Sequence, residues 1–297
     1  MDFIIPYEEI RDFLYLPKTF DETLLDQELA FISNIFPYIS EEIYLEIKNS
    51  QDPIYEDVFQ LLNKAVVRYA FILSIPSIKV HISNFGIHEF GDGETKIASW
   101  WNVRDLGLSF LKAADKYFSQ AITKASKIPY LKENIPILKN ANEIISTPED
   151  LEGIFSINFS PQIYSMLVDY LNEGAELFLK PKLETCSIEN LINDKILGPM
   201  IKRTIAFYAF YNASLLPKFL FLKDSIVIQY DELPWQKSVI LTPEQKLQSG
   251  CQFLNLANGS IEKILLYLDA KKELFPCYQK ESKVYPKIIK KKSGLGI

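Results

Sequence analysis

Cysteine is scarce in this sequence: Cys186, Cys251 and Cys277 are the only three among 297 residues. Their spacings of 65 and 26 residues fit no zinc, haem or dithiol motif. An odd count also argues against a disulfide framework, so the expectation is reduced thiols in a cytosol. Histidine is scarcer, with only His81 and His88. They would meet only in a hairpin, and a metal there would still need Glu89 or Asp92; ordinary loop histidines are the better reading. No apolar stretch led by Arg or Lys with a small-residue cleavage site opens the chain, so no signal peptide is expected. No apolar run reaches about 18 residues, so no membrane span or membrane partner is expected. The 11 glycines build no phosphate loop: Gly91-Asp92-Gly93 lacks the following Lys and Ser or Thr, and reads as a turn. Charged residues are only 24% of the chain, and the net charge of -6 disfavours a whole-surface nucleic-acid footprint. The carboxylate pairs Glu8/Glu9, Glu41/Glu42 and Glu149/Asp150 all fall at predicted helix starts, where the helix dipole accounts for them. The reading is therefore no enzyme, with no catalytic, cofactor-binding or metal residues.

What the chain does have is apolar and aromatic residues: 48% hydrophobic, with 20 Phe and 16 Tyr. That is enough to bury a sizeable core, and Tyr also suits interfaces, where a hydroxyl on a rigid face is useful. The chain repeats itself. Tyr69-Ala70-Phe71 precedes Ile75-Pro76, and Tyr208-Ala209-Phe210 precedes Leu216-Pro217. Each block ends a predicted helix, about 54–73 and about 197–215, and leads into a strand-like segment. Each half opens on a small helix, Tyr7–Leu14 after Pro6 and the Leu151 turn after the cap Thr147 and Pro148. An amphipathic stretch follows in both, 21–36 and 162–179, and a long helix closes each, 100–126 and 243–268. Residues 84–97 hold turn signals and read as a hairpin or loop. There Phe85, His88 and Phe90, with Trp100 and Trp101 beyond, are candidate contact residues. The two tryptophans serve equally well as caps on an intramolecular core.

Residues 280–297 carry Lys280, Lys283, Lys287, Lys290, Lys291 and Lys292 against Glu281 alone. Val284, Tyr285, Ile288 and Ile289 interleave with them. Three readings stand for this tail: a docking arm for an acidic protein surface, a contact to nucleic-acid phosphate, or a solubilising terminus. The docking arm would use Lys283, Tyr285, Lys287, Ile288, Lys290, Lys291 and Lys292.

The run Ala65-Val66-Val67-Arg68-Tyr69-Ala70-Phe71-Ile72-Leu73-Ser74-Ile75-Pro76, followed by Val80-His81-Ile82-Ser83-Asn84-Phe85-Gly86-Ile87, resembles an uncharacterised family of gut Bacteroidetes and their tailed phages. More distantly, each half is similar to the small helical head-tail connector proteins of tailed phages. The resemblance implies a structural virion protein of the phage neck. It would form a homo-oligomeric ring, commonly of twelve copies, joining the portal protein to the tail and other neck proteins. DNA would pass through its channel without sequence-specific binding. The location implied is the virion, with the host cytoplasm during assembly. The resemblance brings no catalytic residue and no cofactor. The alternative is a non-catalytic helical protein-binding or regulatory module.

The expected fold class is mainly α: two related helical-bundle units with a short β hairpin or extended arms. The expected organisation is a helical unit over 1–126, a linker over 127–145, a second unit over 146–270 and a basic C-terminal arm over 271–297.

Overall fold

The repeat in the sequence becomes a repeat in the order of elements. The structure, a computed structural model, describes residues 3–16, 20–83, 86–89, 99–183, 185–215, 219–221, 226–228 and 242–278. The first cluster runs α1 (Tyr7–Phe13), α2 (Gln27–Ala30) continuing into a π turn (Phe31–Ile35), α3 (Glu41–Asn49), α4 (Pro53–Lys79), β1 (Val80–Ser83), β2 (Gly86–Glu89) and α5 (Trp100–Ala125). Two short helices follow, α6 (Pro129–Asn134) and α7 (Pro136–Lys139). The second cluster then runs α8 (Pro148–Glu152), α9 (Pro161–Glu173) continuing into a π turn (Gly174–Leu179), α10 (Ile188–Leu191), α11 (Leu197–Ser214), β3 (Phe219–Phe221), β4 (Ile226–Ile228) and α12 (Pro243–Ala270).

Local chemistry explains the helix starts. Ser40, Ser160 and Thr147 each accept a hydrogen bond from a backbone N–H of the first turn. Thr242 and Gln245 close a full capping box at the head of α12. In α4, Val58, Leu62, Ala65, Val66, Tyr69 and Ala70 recur at helical spacing and are buried. α4 lies along α5, and α11 along α12. Each cluster has its own aromatic nest. Phe3, Phe31, Phe36 and Tyr44 meet edge-on or stacked in the first. Phe155, Phe207, Phe210 and Phe253 do so in the second. Such ring pairs add about 0.5–1.5 kcal/mol each beyond their burial. The 127–145 segment packs inward, with Leu131, Ile135, Ile137 and Leu138 buried, and the Ile137 N–H donates to the Tyr38 carbonyl at 3.3 Å.

A second repeat lies in the closing helices. Gly107-x-x-Phe110-Leu111-x-x-Ala114 in α5 recurs as Gly250-x-x-Phe253-Leu254-x-x-Ala257 in α12, 143 positions on. The first residues of the two helices, Trp100 and Pro243, stand at the same separation. The glycine sits where each helix meets its neighbour. A Cβ at Gly107 would touch Ile75 of α4 at 3.5 Å, and one at Gly250 would strike Ser214 Oγ of α11 at 2.5 Å.

Expectations of three kinds need correction: secondary structure, thiols and hydropathy. The fold class is mainly helical, in two clusters; a β hairpin or extended arms are not a component of it. The strand-like segments amount to two isolated antiparallel ladders, Val80–Ser83 on Gly86–Glu89 and Phe219–Phe221 on Ile226–Ile228, and neither joins a larger sheet among the described residues. The sequence reading also stops the helix before Pro76, whereas α4 continues through it to Lys79. An interior proline removes one hydrogen bond and crowds the preceding turn at a cost of about 3 kcal/mol. Here the next-door Ile75 is buried against Gly107, which returns roughly 1.5–3 kcal/mol.

The second correction concerns the thiols. Cys186 and Cys277 form a disulfide across 91 residues, with Cα atoms 5.0 Å apart, and Cys251 is the exposed free thiol. Spacing along the chain cannot show this pairing, because the approach is made by the return of the chain after α12. The third concerns hydropathy. Pro53–Ile78 is long and apolar enough to meet the length and composition test for a membrane span. Within the fold 56% of its most apolar window is buried, against α2, α3 and α5, which is the burial of a core helix.

Candidate functional site

α5 is covered on two sides. One packs on α4, and the other meets α8, α9 and the loop between them. Along this second side stand Leu111, Asp115, Phe118, Ser119 and Ile122, an apolar-polar-apolar-polar-apolar order. Phe118, Ser119 and Ile122 are fully covered or nearly so, and Asp115 is buried. Leu111, Asp115 and Phe118 line a cavity of about 20 Å³ with Asn34, Tyr38 and Tyr69 of the first cluster and Pro161 and Gln162 of the second. That volume is about the size of one water molecule.

The chemistry at this seam is that of a buried acid. The Tyr69 hydroxyl donates to Asp115 Oδ1. Burial pushes the Asp115 carboxyl up to about 7 from its ordinary 3.8, and the Tyr69 bond only partly opposes this. Burial, and secondarily the Asp115 charge, pushes the Tyr38 phenol up to about 12. Close by, Arg68 lies over the Tyr117 ring at 4.7 Å and donates to the Lys64 carbonyl at 2.7 Å, its cation partly withdrawn from water.

The loop that meets α5 is held in an unusual backbone state. Asn158 and Phe159 have φ of 55° and 56°, a region that bulky side chains rarely occupy. Glu152 Oε2 accepts from the N–H groups of Ile157 and Phe159 at 2.8 and 2.9 Å and fixes the turn. Phe159 then lies under Lys116 of α5, 5.7 Å from nitrogen to ring centroid. Lys202 of α11 adds an ion pair to Asp150 of α8 at 2.8 Å. The seam is thus an interface between the two clusters, crossed by Lys116 over Phe159.

The counterpart side of α12 is only partly covered among the described residues. Counted from the matched glycines, Leu254, Asn258, Ile261, Glu262 and Leu265 occupy the places of Leu111, Asp115, Phe118, Ser119 and Ile122. The order of polar and apolar residues is the same. Ile261 is buried and Leu254 and Leu265 are half-buried, yet Asn258 and Glu262 are exposed, and a Cβ on Gly259 would meet nothing within 4 Å. Leu266 flanks the face at 69% exposure, and Leu256, on the opposite side of the helix, is 50% exposed.

Of the contact residues expected from the sequence, Phe85 and Phe90 lie outside the described residues. His88 is on β2, opposite His81 in the ladder, and Trp100 and Trp101 open α5. The candidate docking arm, Lys283, Tyr285, Lys287, Ile288, Lys290, Lys291 and Lys292, lies wholly outside them. Among the described residues no three His, Cys, Asp or Glu side chains gather as a metal site. Two larger grooves exist. One of about 540 Å³ lies beside Tyr7, Leu24 and Gln27, and one of about 910 Å³ beside Lys127, Lys139 and Asn142. Sequence reasoning missed Asp115, Glu152 and the α12 face. The signal for the last was present in the paired Gly-x-x-Phe-Leu-x-x-Ala strings; the first two needed the fold.

A family model described as a family of unknown function (DUF6712) matches residues 17–124. The match begins after α1 and ends within the last turn of α5, so it spans most of the first repeat unit and none of the second. No curated protein and no solved structure matches the chain.

Proposed function

We propose that this chain is a non-catalytic helical protein-binding module, with the outer side of α12 as its main binding face. One observation carries the reading. α12 leaves Asn258, Glu262 and Leu266 in solvent, where the matched Asp115 and Ser119 of α5 are buried at an interface. Exposed apolar residues grouped on a face with charged and amide neighbours are the composition of a protein-binding site. The test is a photo-crosslinking amino acid placed at Asn258 or Leu266 in living cells. A covalent protein adduct at both positions, absent when the same residue is placed at exposed Glu133, is the expected result. Absence of protein adducts at both would sink the reading.

A narrower form, a neck adaptor that joins portal to tail in a ring around DNA, is supported by the resemblance of residues 65–87 and by the repeated unit. Its own test is light scattering of the purified chain mixed with a portal protein. A discrete assembly larger than either component supports it, and two unshifted masses reject it.

A further inference from the structure

Asp115 is a buried acid at the joint between the two clusters. It lies where α5 meets α8, α9 and the loop between them, and its water-sized cavity is lined from both clusters. The groups that face it carry no compensating charge. Tyr69 of α4 donates to its Oδ1, and Tyr38 is the other titratable group of the lining. α9 brings only Pro161 and Gln162. Of the acids of α8, Asp150 pairs with Lys202, Glu152 holds its own loop and Glu149 is half-buried. Lys112 and Lys116, beside Asp115 on α5, are exposed, and Arg68 of α4 lies over Tyr117. Among the described residues no cationic side chain lines the cavity.

The cavity also holds an acceptor in want of a donor. Asn34 lines it, and Asn34 Oδ1 is buried with no hydrogen-bond partner among the described residues. A buried acceptor in that state calls for a donor. An ionised carboxylate has none to give, whereas a protonated one does. Ser119 and Thr123, four and eight residues further along α5, bury hydroxyl oxygens that also lack a partner. Water would pair all three groups once the seam parted.

We infer that the α5 seam is a proton-operated latch: protonated Asp115 donates to Asn34 Oδ1, directly or through one water, and loss of that proton frees α8 and the start of α9 from α5 while both clusters stay folded. The proton leaves to solvent, and Asn34 Oδ1 then faces a carboxylate with no donor between them. The carboxyl's rise to about 7, caused by burial, fits this. The chain supplies a hinge. Ile137 N–H donates to the Tyr38 carbonyl and holds the linker to the first cluster. Asn142 Nδ2 donates to Asn172 Oδ1 at 2.8 Å and holds it to the second. Between these ties, the N–H groups of Lys139, Asn140 and Ala141 donate only to Ile135, Pro136 and Leu138 of their own turn. A few residues of that kind can absorb the rotation of one cluster against the other. The latch does not depend on what α12 binds.

The test places a reporter thiol in the seam. The full chain, disulfide intact, carries Cys251→Ser and Ser119→Cys. Its labelling rate is followed from pH 5.5 to pH 8.5 and corrected for thiolate fraction with a cysteine peptide. Taking 3.8 for the open acid and about 7 for the closed one, labelling should rise ~30-fold over that range and level off above about 7. Amide protection in α4 and α11, corrected for intrinsic rate, should hold throughout. Adding Asp115→Asn, neutral at every pH, should abolish the rise. Asn34→Ala removes the acceptor and admits water to the acid, so the levelling-off should move to lower pH. Labelling that does not change with pH overturns the latch. So does a rise that persists in Asp115→Asn, or one matched by lost protection in α4 and α11. Should Asp115→Asn fail to fold, Asn34→Ala decides: a levelling-off that stays in place overturns the latch.

Discussion

Asp115 shows how much one side chain can set. Its carboxyl is buried between α4, α5 and the start of α9, faced by Tyr69, Tyr38, Asn34 and Gln162. Its folded pKa of about 7 lies above the ordinary 3.8. The folded state therefore holds the proton more tightly than the unfolded chain does. The stabilisation this brings is fully present below about 3.8 and is lost as pH rises through about 7. At 1.36 kcal/mol per unit, the loss is on the order of 2–4 kcal/mol. Asp115→Asn, neutral at every pH, should flatten the fall in urea midpoint between pH 4 and pH 8. An unchanged slope would remove Asp115 as its cause. Two glycines make a second contrast. At Gly174 a Cβ would stand 2.9 Å from the Ile205 carbonyl oxygen, and backbone cannot step aside as a side-chain tip can. Gly174→Ala should cost about 1–3 kcal/mol. At Gly259 the space is open, so Gly259→Ala should stabilise by up to ~1 kcal/mol through helix propensity alone. Thermal melts of the two variants should move in opposite directions.

Among the elements, the long helices were readable because their apolar spacing is set by the helix period itself. Val58, Leu62, Ala65, Val66 and Tyr69 mark α4, and Thr242-Pro243 marks the start of α12. The end of α4 was not readable. A proline says that one hydrogen bond is lost, but whether the helix stops depends on what the next turn buries, and that is Ile75 against Gly107. The 127–145 linker was read as a connection with some packing; its two short helices bury Leu131 and Ile135 completely. The α5 seam was illegible for a similar reason. Its residues follow the same periodicity as those facing α4, and only the second cluster tells the two sides apart. The loop before α9 depends on Glu152, whose carboxylate holds two N–H groups of the turn. Glu152→Ala should release this loop and destabilise the fold by roughly 1.5–3 kcal/mol. The check is faster amide exchange at Ile157 and Phe159, while α4 keeps its protection.

For the whole molecule, the covalent link matters most. Cys186–Cys277 ties the segment after α12 to the segment before α10 and closes a loop of 91 residues. Thr185 Oγ1 donates to the Cys277 carbonyl beside it, and Tyr278 is buried next in the chain. A loop of that length constrains the unfolded chain by about 4–5 kcal/mol in the entropic account. Replacing both cysteines by serine should lower stability by a comparable amount. Thiol titration in denaturant without reductant should find one thiol per chain, Cys251; three would show that the bond does not form.

The helices, their starts, the two-fold repeat and the uneven charge were all determined by the sequence alone. Each depends on residues close together in the chain, or on composition, and so survives without a partner. Which side of a helix is interface, which thiols pair, and where an acid loses its water were decided only by tertiary structure. Those properties belong to distances between residues far apart in sequence. Asp115 and Asn258 make the point: they hold matching places in matched helices, and only the cover over α5 makes one a buried acid and leaves the other in solvent.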